Sequence, residues 1–421
     1  MLVRQLIHET LEMQGFRIES VNKTGSELIA IITADLRYHP RCGVCNAPGD
    51  YRDTLFERRF RHVPLWGIPV TLVYAPCRVT CPCCKAVHVE HMPWAAGKRR
   101  LTKAFAVTIA SWAKLLPWLQ VARLFGCSWS TVAASVSYVV AFGLARRDLS
   151  CITHIGIDEI SRQKGHVYLI NVYDLKTGSL IWSGEGRTKD TLKDFFEFFG
   201  PERTARLIGI CCDMWPSYIE AVKAKAPQAI LVFDKFHIVR KLTEAVDIVR
   251  RQEVSDKNAE HKGVLAGTRY IWLKNPWNLT DKQKASLGFL ETLNLKIHRA
   301  YLLKESFRDF WQSTSKEIAG KFIEHWFSWA MESKIKPMQN FALLLKRHEE
   351  NILTYFDMPI SNGTVEGLNN KAKVISHRAY GFRSAKNYIL NLYHCMGDLP
   401  MPDCKIRSTM DTQSGTNWTP N

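Results

Sequence analysis

A mixed α/β sheet flanked by helices and interrupted by a long all-helical segment is the fold class this sequence predicts for the chain beyond residue 148. Three observations carry the expectation. Residues 154–185, HIGIDEISRQKGHVYLINVYDLKTGSLIWSGE, hold three runs rich in Ile, Val, Tyr and Leu, joined by the turn-like SRQKG and LKTG. Two later apolar runs, ARLIGICCDMW and AILVFDKFHIV, contain Asp213 and Asp234 at their ends, and each leads into a helical pattern. From about residue 245 to 352 strand signals stop, and helical patterns rich in Trp, Lys and Arg take over. The order of three strands, helix, strand, helix, strand fits a ribonuclease-H-like arrangement. In it the first and fourth strands are neighbours, so Asp158 and Asp213 are expected to face each other.

Each element has a local reason. TKDTLKDFFEFFG predicts a helix capped by Thr188 and stopped by Gly200. The stretch from Trp215 to Ala226 predicts a short helix ended by Pro227. Within 245–352, RYIWLKNPWNLT, LKIHRAYLLKESFRDFWQ, FIEHWFSWAMES and FALLLKRHEENIL read as a helical insertion whose tryptophans are mostly core. The last helix begins in SNGTVEGLNNKAKVISHRAY, capped by Asn362 or Thr364, with an apolar stripe at Val365, Leu368, Ala372 and Ile375. Glu366, Asn370, Lys373 and His377 share another face.

The N-terminal part differs in texture. Six of the 12 cysteines, at 42, 45, 77, 81, 83 and 84, fall in the first hundred residues. Cys42 with Cys45 and Cys81 with Cys84 form two C-x-x-C knuckles, enough thiolates for one tetrahedral zinc. Cys77, Cys83, His88 and His91 remain alternative ligands. Between the knuckles the pattern reads as strands with Arg58, Arg59 and Arg61 outward, a solvated face in most proteins and a DNA contact beside a zinc module. From Leu101 the texture turns helical. VARLFGCSWSTVAASV has the spacing of a helix-turn-helix, with Gly126 in the turn, Ser128 or Ser130 as caps, and Val121, Leu124, Val132 and Val136 apolar. Such spacing also arises in ordinary helical bundles. As a DNA reader it would present Arg123, Ser128, Ser130 and Thr131.

The expected division is therefore 1–97 zinc module, 98–148 helix-turn-helix, 149–244 first part of the core, 245–352 helical insertion, 353–399 last part of the core, and 400–421 disordered tail. Composition constrains the partners. With 57 Lys and Arg against 40 Asp and Glu the net charge is +17, which predicts a polyanionic partner, by default nucleic acid. Hydrophobic content of 46% and charged content of 23% are those of a soluble globular protein. No apolar run reaches the ~18 residues of a membrane span, and MLVRQLIHETLEMQGF lacks the continuous apolar core of a signal peptide. The expected location is cytoplasmic, with no membrane partner.

Asp158 alone is as often an exposed hairpin residue as a ligand. Glu366 alone is usually a salt-bridging helix residue. Together, Asp158, Asp213 and Glu366 can hold two magnesium or manganese ions on oxygen ligands, with Lys371 and Lys373 as a phosphate track. Two such ions suit in-line attack on phosphorus by water or a 3′-hydroxyl. Glu159 should point to the opposite sheet face, and Cys211 and Cys212 should serve packing.

GIDEIS, CDMWPSYIEAV, FDKFHIV and NGTVEGLNNKAK, in this order, resemble the motifs of bacterial insertion-sequence DDE transposases, in particular the ISL-three family. The resemblance covers nearly the whole chain. It implies Asp158, Asp213 and Glu366 as the catalytic triad. It also implies an accessory role for Asp234 and His237, because FDKFH matches a D-x-x-H motif. The expected activity is binding of terminal inverted repeats followed by metal-dependent cleavage and strand transfer. DNA of the element ends and of the target would be partners, with a homo-oligomer in the DNA complex and nucleoid association when bound. The crowded CPCC departs from the pattern and leaves the fourth zinc ligand open. The alternatives are a DNA-binding regulator with an inactive core and a structure-selective nuclease.

Overall fold

The computed structural model describes residues 3–402 apart from 12, 96, 164–166, 256–262, 294 and 361–362. It divides into two compact units, Met1–Arg147 with Arg378–Asn421, and Asp148–His377.

The first unit opens with helix α1 (Val3–Thr10) and strands β1 (Phe16–Thr24), β2 (Glu27–Ala34), β3 (Asp50–Thr54), β4 (Arg58–Leu65), β5 (Ile68–Tyr74), β6 (Cys77–Cys81) and β7 (Ala86–Val89). These build a four-stranded sheet in the order β1-β2-β5-β4 and a three-stranded sheet in the order β3-β6-β7. Phe16, Phe60, Tyr74 and Trp94 pack edge to face in the core of the larger sheet. Three helices follow, α2 (Lys103–Leu115), α3 (Trp118–Leu124) and α4 (Trp129–Leu144). Pro117 starts α3 because its missing N–H costs nothing there. Helices α3 and α4 meet at 110°. The turn between them runs through Gly126 at φ +54°, a conformation that costs glycine little. Ser128 then caps α4 by accepting from the Thr131 N–H, so of the two expected caps it is the one used. Val121, Val132 and Val136 are buried as expected. Leu124 is not: it is 56% exposed, because the buried side of this short helix is set by Trp118, Val121 and Ala122.

The second unit carries β8 (His154–Gln163), β9 (Val167–Asp174), β10 (Leu180–Glu185), α5 (Lys189–Phe199), α6 (Pro201–Ala205), β11 (Gly209–Cys212), α7 (Pro216–Lys225), β12 (Ile230–Phe233) and α8 (Lys235–Ser255). The sheet order is β10-β9-β8-β11-β12. Strands β8, β9 and β10 pair antiparallel, while β11 pairs parallel to both β8 and β12. The first and fourth strands are thus neighbours, as the element order required. Thr188 caps α5 and Gly200 ends it at φ +82°. The 245–352 stretch holds helices and the turns between them, with no strand among its described residues: α9 (Arg269–Leu273), α10 (Asp281–Glu291), α11 (Lys296–Phe310), α12 (Lys316–Glu332) and α13 (Lys336–Arg347), then α14 (Glu349–Asp357). Trp272 and Trp326 are buried in the core that continues from the sheet, whereas Trp277 and Trp329 are exposed. Helix α15 (Gly363–Arg378) follows. Its expected cap, Asn362, lies outside the described residues, as does the side chain of Thr364.

Helix α16 (Ala385–Met396), which the sequence attaches to the core, packs instead on α4 in the first unit. Gly143 admits the chain after α16, since a Cβ there would come within 2.6 Å of Leu399 Cβ. An amphipathic stripe says that a helix is packed, not against what. Most of the expected disordered tail, from residue 403 on, lies outside the described residues. Among the described residues no single helix is long and apolar enough to cross a membrane.

Candidate active site and metal-binding cluster

Sheet register lines up the acidic residues. Cys211 of β11 pairs with Gly156 of β8, so two residues further along the parallel strands Asp213 stands beside Asp158. Cys212 pairs with Phe233 of β12, so the next residues are Asp213 and Asp234. Three carboxylates therefore stand in one row across β8, β11 and β12. The row continues through the antiparallel pairs Asp158↔Asn171 and Asn171↔Ser183. Paired positions project to the same side of a sheet. Period-2 alternation sends Glu159 to the other side, where Tyr218 Oη donates to its Oε1 at 2.5 Å and Arg187 Nε lies 2.7 Å from Oε2.

Asp158 is held at both oxygens. Its Oδ1 accepts from the Glu159 backbone N–H at 2.7 Å, and its Oδ2 accepts from Asn369 Nδ2 of α15 at 2.7 Å. Asp213 uses the same local device, accepting from the Met214 N–H at 2.6 Å. Burial raises the Asp158 carboxyl to about 6, with the charges of Asp234 and Glu159 adding to it and the nearby His237 and the Glu159 N–H opposing. Asp234 is 2% exposed and begins α8, its Oδ1 accepting from the Phe236 N–H at 3.2 Å. His237, one turn on, brings Nδ1 to 3.1 Å from Asp234 Oδ2. Burial works against the imidazolium, but the Asp234 contact and the fields of Asp213, Asp158 and Asp234 outweigh it and raise its proton affinity. An imidazole of raised proton affinity thus sits among three aspartates.

Glu366 lies half-buried on α15, one turn before Asn369, and among the described residues its carboxylate has no hydrogen-bond or ion-pair partner. Val365, Ala372 and Ile375 are buried as the stripe required, while Leu368 is only half-buried. The face read for Glu366, Asn370, Lys373 and His377 needs adjustment. Asn370, Lys373 and His377 are exposed, while Asn369, at i+3, is 5% exposed and reaches Asp158. Lys371 is exposed as well. Sequence reasoning missed Asn369, Asn171, Tyr173 and Ser183. The i+3 spacing from Glu366 pointed at Asn369; nothing in a strand pattern marks the other three. Carboxylate oxygens are the donors a hard divalent cation takes, but among the described residues only the four knuckle cysteines gather into a close metal-ligating group.

The cysteine knuckles converge. The sulfurs of Cys42, Cys45, Cys81 and Cys84 all lie within 4.8 Å of one another. Backbone N–H groups of Val44 and Cys84 point at Cys42 Sγ and Cys81 Sγ, at 3.5 and 3.3 Å. Each knuckle ends in a left-handed residue, Asn46 at φ +60° and Lys85 at φ +51°. Gly43 is required, because a Cβ there would meet the Val89 carbonyl oxygen at 2.4 Å. Cys77, Cys83, His88 and His91 are not in the cluster. The Cys77 thiol is pushed up to about 12 by burial and by Glu90, which suits packing rather than ligation. Four sulfurs at this spacing are compatible with a tetrahedral zinc.

Arg123, Ser128 and Ser130 are exposed around the α3–α4 turn, and Thr131 is half-buried. In the same unit Arg59, Arg61, Arg99 and Arg100 line a cleft of about 560 Å³ together with Ser130 and Thr131. Arg61 is partly committed to structure, donating to the carbonyls of Gly126 and Phe125 at 2.9 and 2.8 Å.

A family model described as transposase, of the ISL3 type of DDE enzymes, matches residues 155–392. The chain is 33% identical over 390 residues to the transposase for insertion sequence element IS1557 of Mycobacterium tuberculosis, covering 87% of each chain. It is 28% identical over 397 residues to the transposase for insertion sequence element IS1001 of Bordetella parapertussis, covering 93% of this chain and 98% of that one. The matching family model and both named relatives define the class: this is a transposase enzyme. The chain belongs to the ISL3 family of insertion-sequence DDE transposases.

Proposed function

We propose that this chain binds the terminal inverted repeats of an insertion sequence and catalyses cleavage and strand transfer at Asp158, Asp213 and Glu366. The observation that carries the proposal is the row of aspartates on adjacent strands, joined through Asn369 to the helix that bears Glu366. The strand order, three antiparallel strands followed by two parallel ones, supports a ribonuclease-H-like core. Two magnesium or manganese ions held by the three carboxylates would activate the attacking oxygen and stabilise the leaving one. The attacking oxygen, of water or of a 3′-hydroxyl, bonds to phosphorus as the bond to the bridging oxygen breaks. Asp158 and Asp213 are pre-set for ligation, each with one oxygen already fixed by a backbone N–H. Asp234 and His237 are accessory: Asp234 starts α8 and orients the imidazole, and His237 offsets the row's charge. Lys371 and Lys373, exposed on α15, offer contacts to the phosphates.

Recognition of the ends falls to the first unit. A 110° helix pair across a Gly126 turn supports a helix-turn-helix, with Arg123, Ser128, Ser130 and Thr131 toward the bases. Cys42, Cys45, Cys81 and Cys84 hold a structural zinc. The partner is double-stranded DNA, of the ends and then of the target, and the chains act as a homo-oligomer on it.

The test uses purified full-length protein and a labelled duplex from the end of the element. Asp158→Asn, Asp213→Asn and Glu366→Gln should keep end binding and lose cleavage by orders of magnitude, because a metal clamp acts mainly in the transition state. Asp234→Asn should be milder. Cleavage at the wild-type rate by Glu366→Gln would remove it from the triad.

A further inference from the structure

A directed chain of hydrogen bonds runs across the sheet and ends on Asp158. Ser183 Oγ donates to Asn171 Oδ1 at 2.7 Å, and Asn171 Nδ2 donates to Tyr173 Oη at 3.0 Å. Tyr173 Oη donates to Asn369 Oδ1 at 2.9 Å, and Asn369 Nδ2 donates to Asp158 Oδ2 at 2.7 Å. Ser183, Asn171, Tyr173 and Asn369 are all buried, with Asn171 and Tyr173 fully so. The order leaves little freedom. A hydroxyl that accepts from Asn171 must turn its own hydrogen elsewhere, and Tyr173 turns it to Asn369. That sets the Asn369 amide with oxygen toward Tyr173 and nitrogen toward Asp158.

We propose that Asn369 is a positioning residue of the catalytic centre: it fixes the plane of the Asp158 carboxylate for metal and locks the Glu366 helix to strand β8, with Tyr173 setting its orientation. The proposal rests on the assignment of Asp158 and Glu366 as metal ligands. Asn369 and Glu366 stand three residues apart, so they neighbour each other on one helix face. A hydrogen bond from Asn369 to the strand therefore also sets where the Glu366 carboxylate begins. With Oδ1 held by the Glu159 N–H and Oδ2 by Asn369, each oxygen of Asp158 keeps lone-pair capacity for a cation. Partners that orient a ligand in this way typically contribute roughly 10- to 100-fold in metal affinity.

Binding of manganese to full-length protein is measured by loss of the free-ion electron-paramagnetic-resonance signal, and cleavage of the labelled end is followed against manganese and magnesium concentration. Asn369→Ala should raise the manganese dissociation constant and the half-saturating magnesium concentration by roughly 10-fold or more. Its affinity for the end duplex should stay at the wild-type value, its melting temperature should fall only by what the loss of two buried hydrogen bonds costs, and excess manganese should restore most of the rate. Tyr173→Phe, which frees the amide to turn its oxygen toward Asp158, should shift the same two quantities by a smaller factor. Val374→Ser, at an exposed position of the same helix, is the control. Wild-type metal dependence in Asn369→Ala, or a lost rate that metal does not restore together with a melting temperature lowered further than that, would overturn the proposal. Asp158→Asn is run in parallel. If it is inactive while Asn369→Ala is normal, only the role of Asn369 falls; if it cleaves normally, the metal-ligand assignment falls and this proposal with it.

Discussion

At the scale of single residues, the site is built against local stability. A carboxyl that burial raises to about 6 prefers its proton in the folded state, whereas in an unfolded chain it ionises near its ordinary value of 3.8. Above both values the folded protein carries an unfavourable buried charge, and the penalty is relieved as pH falls from about 6 toward 4. Asp158→Asn removes the charge and keeps one acceptor oxygen, enough for Asn369 or for the Glu159 N–H but not for both. Metal-free Asp158→Asn protein should therefore be more stable than wild type at pH 7.5, by on the order of 1–3 kcal/mol, and the gain should vanish near pH 4. Urea denaturation in the presence of a chelator checks this. A loss of stability at pH 7.5 would mean that the charge is already compensated. Metal adds the missing cation, so manganese should stabilise wild type and not the variant.

At the scale of elements, backbone geometry and not side-chain chemistry limits what the knuckles and turns tolerate. Gly43 faces the Val89 carbonyl so closely that no Cβ fits. Gly43→Ala must move Cys42 or β7, and the four sulfurs can no longer meet. Zinc content of the purified full-length protein should fall from about one equivalent toward none, as it should in Cys42→Ser; full zinc in Gly43→Ala would place the metal elsewhere. Gly126 poses a different problem. Nothing lies within 4 Å of a Cβ built on it, so Gly126→Ala costs only the left-handed conformation, about 1 kcal/mol. The expected result is a slightly lowered melting temperature and weaker end binding as α4 tilts relative to α3. An unchanged affinity would show that the turn is not part of the DNA-reading surface.

At the scale of the whole molecule, the two units carry buried titratable groups of opposite response. His62 is buried beside Thr102, and burial lowers its proton affinity to about 4; His394, buried on α16, falls to about 3 by burial and the nearby Lys114. Both belong to the first unit. A histidine whose folded value lies below 6.5 is neutral when folded and takes up a proton on unfolding. Its unit loses stability as pH falls below 6.5, and the loss saturates near the folded value. For His62 this amounts to about 3 kcal/mol. Asp158, in the second unit, moves the other way. Calorimetry between pH 7.5 and 5 should show the transition of the first unit shifting down more steeply, and His62→Gln should flatten that shift. Equal slopes for both transitions would refute the assignment.

Much of this protein was legible in its linear order. The three-strand run, the apolar runs ending in Asp213 and Asp234, the caps Thr188 and Ser128, and the C-x-x-C pairs are local features, and local features are what periodicity and spacing report. The succession of strands and helices was enough to make β8 and β11 neighbours, since few connections are allowed. Other features depend on contacts between distant segments. The sulfurs of 42 and 45 could meet those of 81 and 84 only once two hairpins packed, and the sequence left Cys77 and Cys83 as alternatives to the expected four until the distances between sulfurs separated them. Helix α16 was assigned to the core by position, and its apolar face found α4 instead. Asn369 looked no different from Asn370 beside it. One is buried against strand β8 and the other is exposed, because a rotation of 100° per residue divides adjacent helix positions between core and solvent, and only tertiary packing chooses which side is which.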